Sequence, residues 1–274
     1  MKTTASIVTY RTNPQELALC IECLLASEVD KIYIIDNSPD RKIENLLPES
    51  ESISYIHNFR NIGYGAAHNI AIRKAMDENA EYHLVLNSDT SFGKDVVGKI
   101  VRFMDSNPDV GQLAPNIIYP DGRQQYTVRL LPSPADLMFR RFLPPSIGRK
   151  RDFRYLLKMW NHKSPLNIPY HQGSFMFFRT SALKTVGLFD ERFFMYPEDI
   201  DISRRVHEHY VTLYWPGQTV IHCHRAASGK NLRMLWIHSV NMIRYFNKWG
   251  WIFDKKRKEF NRRCLEEIAA ASRR

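Results

Sequence analysis

Long apolar runs are missing from this chain. No uninterrupted hydrophobic stretch approaches the length of a bilayer-spanning helix, and Met1-Lys2 leads straight into a strand pattern where a secretory leader would place its apolar core. Cysteine is scarce, and its four residues (Cys20, Cys23, Cys223, Cys264) show no disulfide framework. The expectation is a cytoplasmic protein with reduced thiols. Internal repeats and low-complexity segments are absent as well. Acidic excess is lacking: the net charge is +10, with basic residues crowded into 140–163 and 225–274 while the first half mixes its signs. A basic C-terminal third suits an anionic partner, whether nucleic acid, phosphate-bearing lipid or a charged membrane surface. What is present suffices for a core: 274 residues, 44% hydrophobic and 12% aromatic, which excludes disorder as the overall state.

Ala5-Ser6-Ile7-Val8-Thr9-Tyr10 is a β-branched run that reads as a buried strand. Asn13 caps, and Pro14 opens, a helix running to about residue 26. Strands are expected at 31–37, 54–57 and 82–89, with a glycine loop at 61–69 that runs into a helix ending near 79. A helix at 94–106 and a strand at 110–115 come next. Residues 119–170 are proline-rich, basic and irregular, with one helix around 135–142. Their apolar residues are too scattered for a separate core, so the segment reads as an insertion over the sheet. A strand at 173–178, a short helix at 182–186 capped by Ser181, strands at 211–215 and 220–222, and helices from 231 complete the chain. Strands alternating with helices through short loops indicate an α/β fold, with a mostly parallel central sheet flanked by helices. The organisation expected is a main domain over 1–230 and a basic, aromatic, helical extension over 231–274 packed on it.

In such sheets ligands bind outside the carboxyl ends of the strands. Those ends carry Tyr10-Arg11-Thr12, Asp36-Asn37-Ser38 and Asn87-Ser88-Asp89. Asp89 can give one oxygen to Mg2+ or Mn2+, whose shell phosphate oxygens and water would complete; the plainer reading is a cap for the next turn. Gly63-x-Gly65 lacks both the G-x-G-x-x-G spacing and a Walker lysine, so its glycines allow close approach of backbone to a ligand or another segment. Asn69 would face the same way as Gly65. In His222-Cys223-His224 the two imidazoles share one side if the strand continues, and each is a metal ligand, a phosphate donor or a structural group. Cys20 and Cys23 form a C-x-x-C on a helix-periodic stretch with no second pair at metal-ligand spacing, and read as small buried residues. Pro197-Glu198-Asp199-Ile200-Asp201 opens a helix with acids where the dipole favours them, a well-capped helix start on its own terms. Together these parts fit transfer of a glycosyl group. A sugar hydroxyl needs a carboxylate base within reach, and a departing diphosphate needs a cation. Asp199 would be the base, Asp89 the metal ligand and Asp36 a contact to base or ribose.

Several stretches carry a resemblance: Ser6-Ile7-Val8-Thr9-Tyr10, Ile35-Asp36-Asn37-Ser38, Asn61-Ile62-Gly63-Tyr64-Gly65-Ala66-Ala67-His68-Asn69, Leu86-Asn87-Ser88-Asp89, Gly173-Ser174-Phe175-Met176, Gly187 to Phe194 and Pro197 to Asp201. They resemble the inverting family 2 glycosyltransferases of GT-A (Rossmann-like) fold, in particular the rhamnosyltransferase-like branch that builds O-antigen and other cell-surface polysaccharides. The resemblance covers roughly residues 5 to 250. It implies a nucleotide-sugar site built from Thr9, Tyr10, Arg11, Asp36, Asn61, Gly63, Gly65, Asn69, Asn87, Ser88 and Gly173. It also implies Mg2+ or Mn2+ on Asp89 and His222, and catalysis by Asp199 with Glu198 beside it; Asp201 is left a structural role. Two positions depart from the family. Asn87 replaces the first acid of the D-x-D, which rests the metal on one carboxylate, and Leu188 stands where a second glycine is usual. The implied donor is dTDP-rhamnose, or alternatively a UDP-hexose or other nucleotide sugar, and the acceptor a lipid-linked saccharide. The basic aromatic C-terminal helices suit a peripheral contact with the anionic inner face of the cell membrane. Readings of another class are a nucleic-acid-binding protein, which leaves the strand-end acids unexplained, and a nucleotide-sugar binder without turnover, which the intact Asp89 and Asp199 oppose.

Overall fold

The computed structural model describes residues 2–137, 145–223 and 232–271. Its first half is built as strand–helix units. β1 (Thr3–Thr9) is followed by α1 (Pro14–Leu25), β2 (Lys31–Asp36), β3 (Ile53–His57), α2 (Tyr64–Asp77) and β4 (Tyr82–Leu86). Asn13 caps α1 as its sequence implies, its side-chain oxygen accepting from the backbone of Gln15 and Glu16, with Pro14 at the first helical position. Next come β5 (Thr90–Phe92), α3 (Val96–Asp105), β6 (Val110–Ile118), β7 (Val128–Arg129), α4 (Pro145–Tyr155), β8 (Leu166–Asn167) and β9 (Tyr170–His171). The chain closes with β10 (Phe175–Arg179), α5 (Thr180–Val186), α6 (Glu198–His207), β11 (Val211–His222), α7 (Leu232–Trp249) and α8 (Lys255–Ala271).

The main sheet runs in the order β3-β2-β1-β4-β10-β6-β11-β5. β1, β2, β3 and β4 pair in parallel, as do β6 and β11. β10 enters antiparallel between β4 and β6. Side-chain alternation sends successive residues to opposite faces. Ile7, Ile34, Leu84 and Phe177 pack with Leu17, Ile21 and Leu24 of α1 and with Ile100 and Met104 of α3. On the other face, Tyr33 and Ile35 meet the alanine face of α2, while Val85, Met176 and Phe178 meet Leu183, Ile202 and Val206. The sheet is covered on both sides, and its carboxyl edge is left for loops.

Four local expectations change. α5 starts two residues early, at Thr180, so Ser181 lies inside the helix and gives it no cap. Pro197 is the N-cap of α6 and not its first residue, its carbonyl already accepting from the Asp201 amide at 2.9 Å. The two late strands are one, β11, interrupted by a bulge between Trp215 and Thr219. The irregular segment also holds β7, α4, β8 and β9, which its sequence did not announce; helix is present at 134–137, and the rest of the helix expected over 135–142 lies outside the described residues. Val128, Leu131, Leu157, Trp160 and Ile168 of this segment share one apolar cluster with Tyr245 and Phe246 of α7 and Phe260 and Cys264 of α8.

Candidate active site

β4 ends in Asn87-Ser88-Asp89 and turns directly into β5, which pairs antiparallel with the end of β11, placing Thr90 opposite His222. The amide of Cys223 donates to the Asp89 carbonyl at 3.0 Å. This pairing brings two residues distant in sequence together: Asp89 Oδ1 lies 3.2 Å from His222 Nε2. Behind the turn, the Cys20 thiol sits 3.6 Å from both the Asn87 carbonyl and Thr90 Oγ1, and the Phe92 amide donates to Cys23 Sγ at 3.4 Å. The C-x-x-C therefore buttresses the Asp89 turn, and burial pushes the Cys20 thiol up to about 12.

The His222 ring is fixed by a neighbour from the irregular segment. Gln125 Nε2 donates to the His222 carbonyl at 2.6 Å, and Gln125 Oε1 lies 2.9 Å from His222 Nδ1. A carbonyl oxygen only accepts, so the amide orientation is settled and Nδ1 must carry the hydrogen. Nε2 then faces Asp89 and Asn87 Nδ2, each 3.2 Å away. An imidazole nitrogen and a carboxylate oxygen that converge at this distance can both turn to one divalent cation. Asp89 and His222 thus fit as two protein ligands for Mg2+ or Mn2+. Among the described residues no group of three His, Cys, Asp or Glu could hold a metal by itself, so the other positions would fall to phosphate oxygens and water. Both residues line a cavity of about 500 Å³ together with Tyr10, Arg11, Tyr64, Asn87 and Ser88. His224 lies outside the described residues.

Behind Tyr64 and Gly173, α6 holds Asp199 in its first turn. Asp199 Oδ2 accepts from the Gly173 amide at 3.1 Å and the Tyr170 hydroxyl at 3.2 Å, and Oδ1 accepts from the Ile200 amide at 2.8 Å. Burial raises its pKa, while these donors and the Arg129 guanidinium pull it back. Glu198 differs. Only 5% exposed, with Oε2 lacking any hydrogen-bond partner, it is pushed well above the ordinary glutamate range by burial and then by Asp199. Of this adjacent pair, the proton belongs on Glu198 and the negative charge on Asp199, where the donors are.

Tyr64 links the cavity to the Asp199 side. Its hydroxyl lies 2.6 Å from the Gly173 carbonyl and 3.2 Å from Asn87 Oδ1. Burial, then Glu198, Asp199 and Asp89, raise its pKa well above that of an ordinary tyrosine. All three carboxyls therefore surround one neutral phenol.

The glycine loop serves packing. A Cβ on Gly63, whose φ is +99°, would come within 2.5 Å of the Phe194 carbonyl oxygen, and one on Gly65 within 2.8 Å of Phe189 Cβ. The Tyr64 amide donates to Phe194 O at 3.0 Å. Asn69 is fully buried, donating to Phe189 O and accepting from Phe189 N at 2.9 and 3.0 Å. Asn61 Oδ1 accepts from the Gly63 amide at 3.0 Å. Gly63, Tyr64, Gly65 and Asn69 dock the start of α2 onto the 189–198 segment, while Asn61 braces the loop against Gly63 and Asn37. Asp36 is likewise fully buried: Oδ1 accepts from Thr9 Oγ1 and the Ser38 amide at 3.0 and 2.9 Å, and Oδ2 from the Tyr55 hydroxyl at 2.8 Å. It braces the strand edge, while Tyr10, Arg11 and Ser88 face the cavity. Asp201, fully buried, binds Arg205, Lys248 and Trp249, a structural position.

Four contributors carried no assigned role in the sequence: Tyr64, Gln125, Arg129 and Tyr170. Tyr64 lies inside the glycine-loop motif, which offered a signal. The others come from the irregular segment, where no period or cap singles them out.

The family model for glycosyl transferase family 2 matches residues 4–187. An N-acetylglucosaminyl-diphospho-decaprenol L-rhamnosyltransferase of Mycobacterium tuberculosis is 28% identical over 233 residues, which is 81% of this chain and 75% of that protein. A low-salt glycan biosynthesis hexosyltransferase of Haloferax volcanii is 26% identical over 190 residues, 68% of this chain and 56% of that protein. Among solved structures, GalNAc-T7 with UDP, GalNAc and Mn2+ has a TM-score of 0.67 at 15% identity, covering 95% of this chain and 49% of that one. A mannosyltransferase from Pyrobaculum calidifontis in complex with GDP-Man and Mn2+ has a TM-score of 0.57 at 15% identity, covering 98% of this chain and 75% of that one. The structural likenesses establish the GT-A fold. With the α/β sheet, the strand-edge cavity and a match through residues 4–187, the chain belongs to glycosyl transferase family 2.

Proposed function

We propose that this glycosyltransferase moves rhamnose from dTDP-rhamnose, with inversion, onto a hydroxyl of a growing, lipid-linked cell-surface polysaccharide. The observation that carries the reading is the pair of unlike groups linked through Tyr64 and Gly173. One is Asp199, aimed by the Gly173 amide and Tyr170. The other is Asp89 with His222 at the strand edge. In the proposed reaction Asp199 takes the proton of the acceptor hydroxyl as its oxygen bonds to the anomeric carbon. The bond from that carbon to the diphosphate oxygen breaks, and the nucleoside diphosphate leaves from the opposite face. A single displacement inverts the anomeric centre. Mg2+ or Mn2+ held by Asp89 and His222 would offset the charge of the leaving diphosphate. Tyr10, Arg11, Asn87 and Ser88 line the donor's cavity; Thr9, Asp36, Asn61, Gly63, Gly65 and Asn69 keep its walls in shape, and Gly173 positions the base.

The likeness to the mycobacterial rhamnosyltransferase supports a rhamnose donor and a lipid-linked acceptor. The likeness to a hexosyltransferase supports a hexose donor, as a UDP-hexose or other nucleotide sugar, as the alternative. No helix among the described residues is long and apolar enough to cross a membrane. In the proposed reading the lipid-linked acceptor is met through peripheral contact at the cytoplasmic face. The test is a panel of nucleotide sugars assayed for binding and slow hydrolysis, with and without Mg2+ or Mn2+. Preferential turnover of dTDP-rhamnose is expected. Preference for a UDP-hexose would overturn the donor assignment, and binding of none would overturn the reading.

A further inference from the structure

Among the described residues, one face of α7 is left uncovered. Trp236 and Ile243 lie seven residues apart, on one side of the helix, and are 70% and 48% exposed. The turn after α7 adds Trp251, Ile252 and Phe253, at 43%, 69% and 89%. Trp251 folds back onto the same face, its indole N–H donating to Asn247 Oδ1 at 2.8 Å.

The turn that presents these side chains is anchored on both sides. Gly250 takes φ +99°, a conformation that L side chains rarely adopt. Asp254 receives both amino groups of the buried Arg204 at 2.6 and 2.8 Å and caps α8 by accepting from the Arg257 amide at 2.9 Å. Ile252 and Phe253 are therefore held outward by a fixed backbone.

Cations flank the apolar edge. A cavity of about 400 Å³ opens beside it, lined by Arg192, Phe193, Arg244, Asn247 and Lys248. Asp190 pairs with Arg192 and Lys248, and Asp201 with Lys248, offsetting part of this charge. Beyond the turn, Lys255 and Lys258 are exposed at the start of α8, a helix with no acid in its first turn. Cations there oppose the helix dipole, and an external anion would relieve them. Arg257 does not join them, being 5% exposed and turned to the carbonyls of Gly250 and Trp251.

We propose that this edge docks on an anionic phospholipid bilayer. Trp236, Ile243, Trp251, Ile252 and Phe253 enter the boundary between headgroups and acyl chains, and Arg244, Lys255 and Lys258 face lipid phosphates. A two-fold contact with a second copy would set these same cations against each other, in a chain of net charge +10. The inference deepens the membrane contact of the proposed function and needs none of its sugar chemistry.

The test is co-sedimentation of the full chain with phosphatidylcholine vesicles, with and without phosphatidylglycerol, alongside tryptophan fluorescence. The protein should sediment with the anionic vesicles and not the neutral ones, with a blue shift from its exposed tryptophans. The Ile252→Ser/Phe253→Ser pair should lower partitioning at least about tenfold, and Lys255→Glu/Lys258→Glu should do the same. Both pairs alter exposed side chains, so unchanged circular dichroism and donor hydrolysis should accompany the loss. Absent sedimentation, equal sedimentation with both vesicle types, or unaffected variants would overturn the proposal. So would a concentration-dependent dimer that the serine pair abolishes, since a second copy would then be the occupant. Donor turnover by the same preparation keeps the two proposals apart. Turnover without vesicle binding contradicts only the docking, and vesicle binding without turnover of any nucleotide sugar contradicts only the transfer.

Discussion

Glu198→Gln separates the two adjacent carboxyls of α6. Glu198 is 5% exposed, its Oε2 has no hydrogen-bond partner, and burial and then Asp199 push its pKa well above the ordinary value of 4.5. Below pH 4.5 both folded and unfolded chains carry the proton, and the group contributes nothing to pH dependence. As pH rises past that value the unfolded chain releases the proton while the folded chain keeps it. Folding stability is therefore lost at about 1.4 kcal/mol per pH unit until the folded pKa is reached. Glutamine fills the same space without ionising and escapes this loss. Urea unfolding of both proteins across a pH series should show the variant gaining on the native chain at about that slope from pH 4.5 upward. Turnover should stay within a few-fold of native, because the proposed base is Asp199 and not Glu198. A pH-independent stability difference would refute the buried neutral carboxyl. A loss of kcat on the order of 10²-fold or more would make Glu198 the base instead.

Two other perturbations test how the site is supported. Gln125→Leu removes the acceptor that holds the Nδ1 hydrogen of His222; Mn2+ affinity, measured calorimetrically with nucleoside diphosphate present, should fall roughly 10- to 100-fold, and unchanged affinity would contradict the assigned ring orientation. Asp254→Leu strands Arg204, a guanidinium 2% exposed, and should cost about 3–5 kcal/mol in urea unfolding. The double variant Arg204→Met/Asp254→Leu should recover most of that loss; a cost under about 1 kcal/mol for the single change would show the pair to be dispensable.

Much of the Rossmann-like half was legible because its signals are local. Asn13-Pro14 marks a helix start by cap and fixed φ, and β1, β2 and β4 are apolar runs closed by polar residues. β5 escaped notice because Thr90-Ser91-Phe92 is too short for alternation to register, yet its pairing with β11 is what carries Asp89 to His222. The antiparallel sense of β10 was equally hidden, since Phe175 to Phe178 is apolar toward both faces. Gly63 and Gly65 left two partners open, ligand or protein, and the nearest atoms belong to Phe194 and Phe189. Gln125, Arg129 and Tyr170 could not be singled out, because each acts through a residue far along the chain: His222, Asp199 and Asp199 respectively.

The central claim is that Asp199 is the base of a nucleotide-sugar-dependent transfer. Its most direct test is Asp199→Asn, with donor binding measured by calorimetry and turnover by release of nucleoside diphosphate. Asparagine retains a side-chain carbonyl to accept from Gly173 and Tyr170 but cannot take a proton at neutral pH. The account predicts donor affinity within a few-fold of native and kcat lower by about 10²-fold or more. Native turnover in the variant would contradict it.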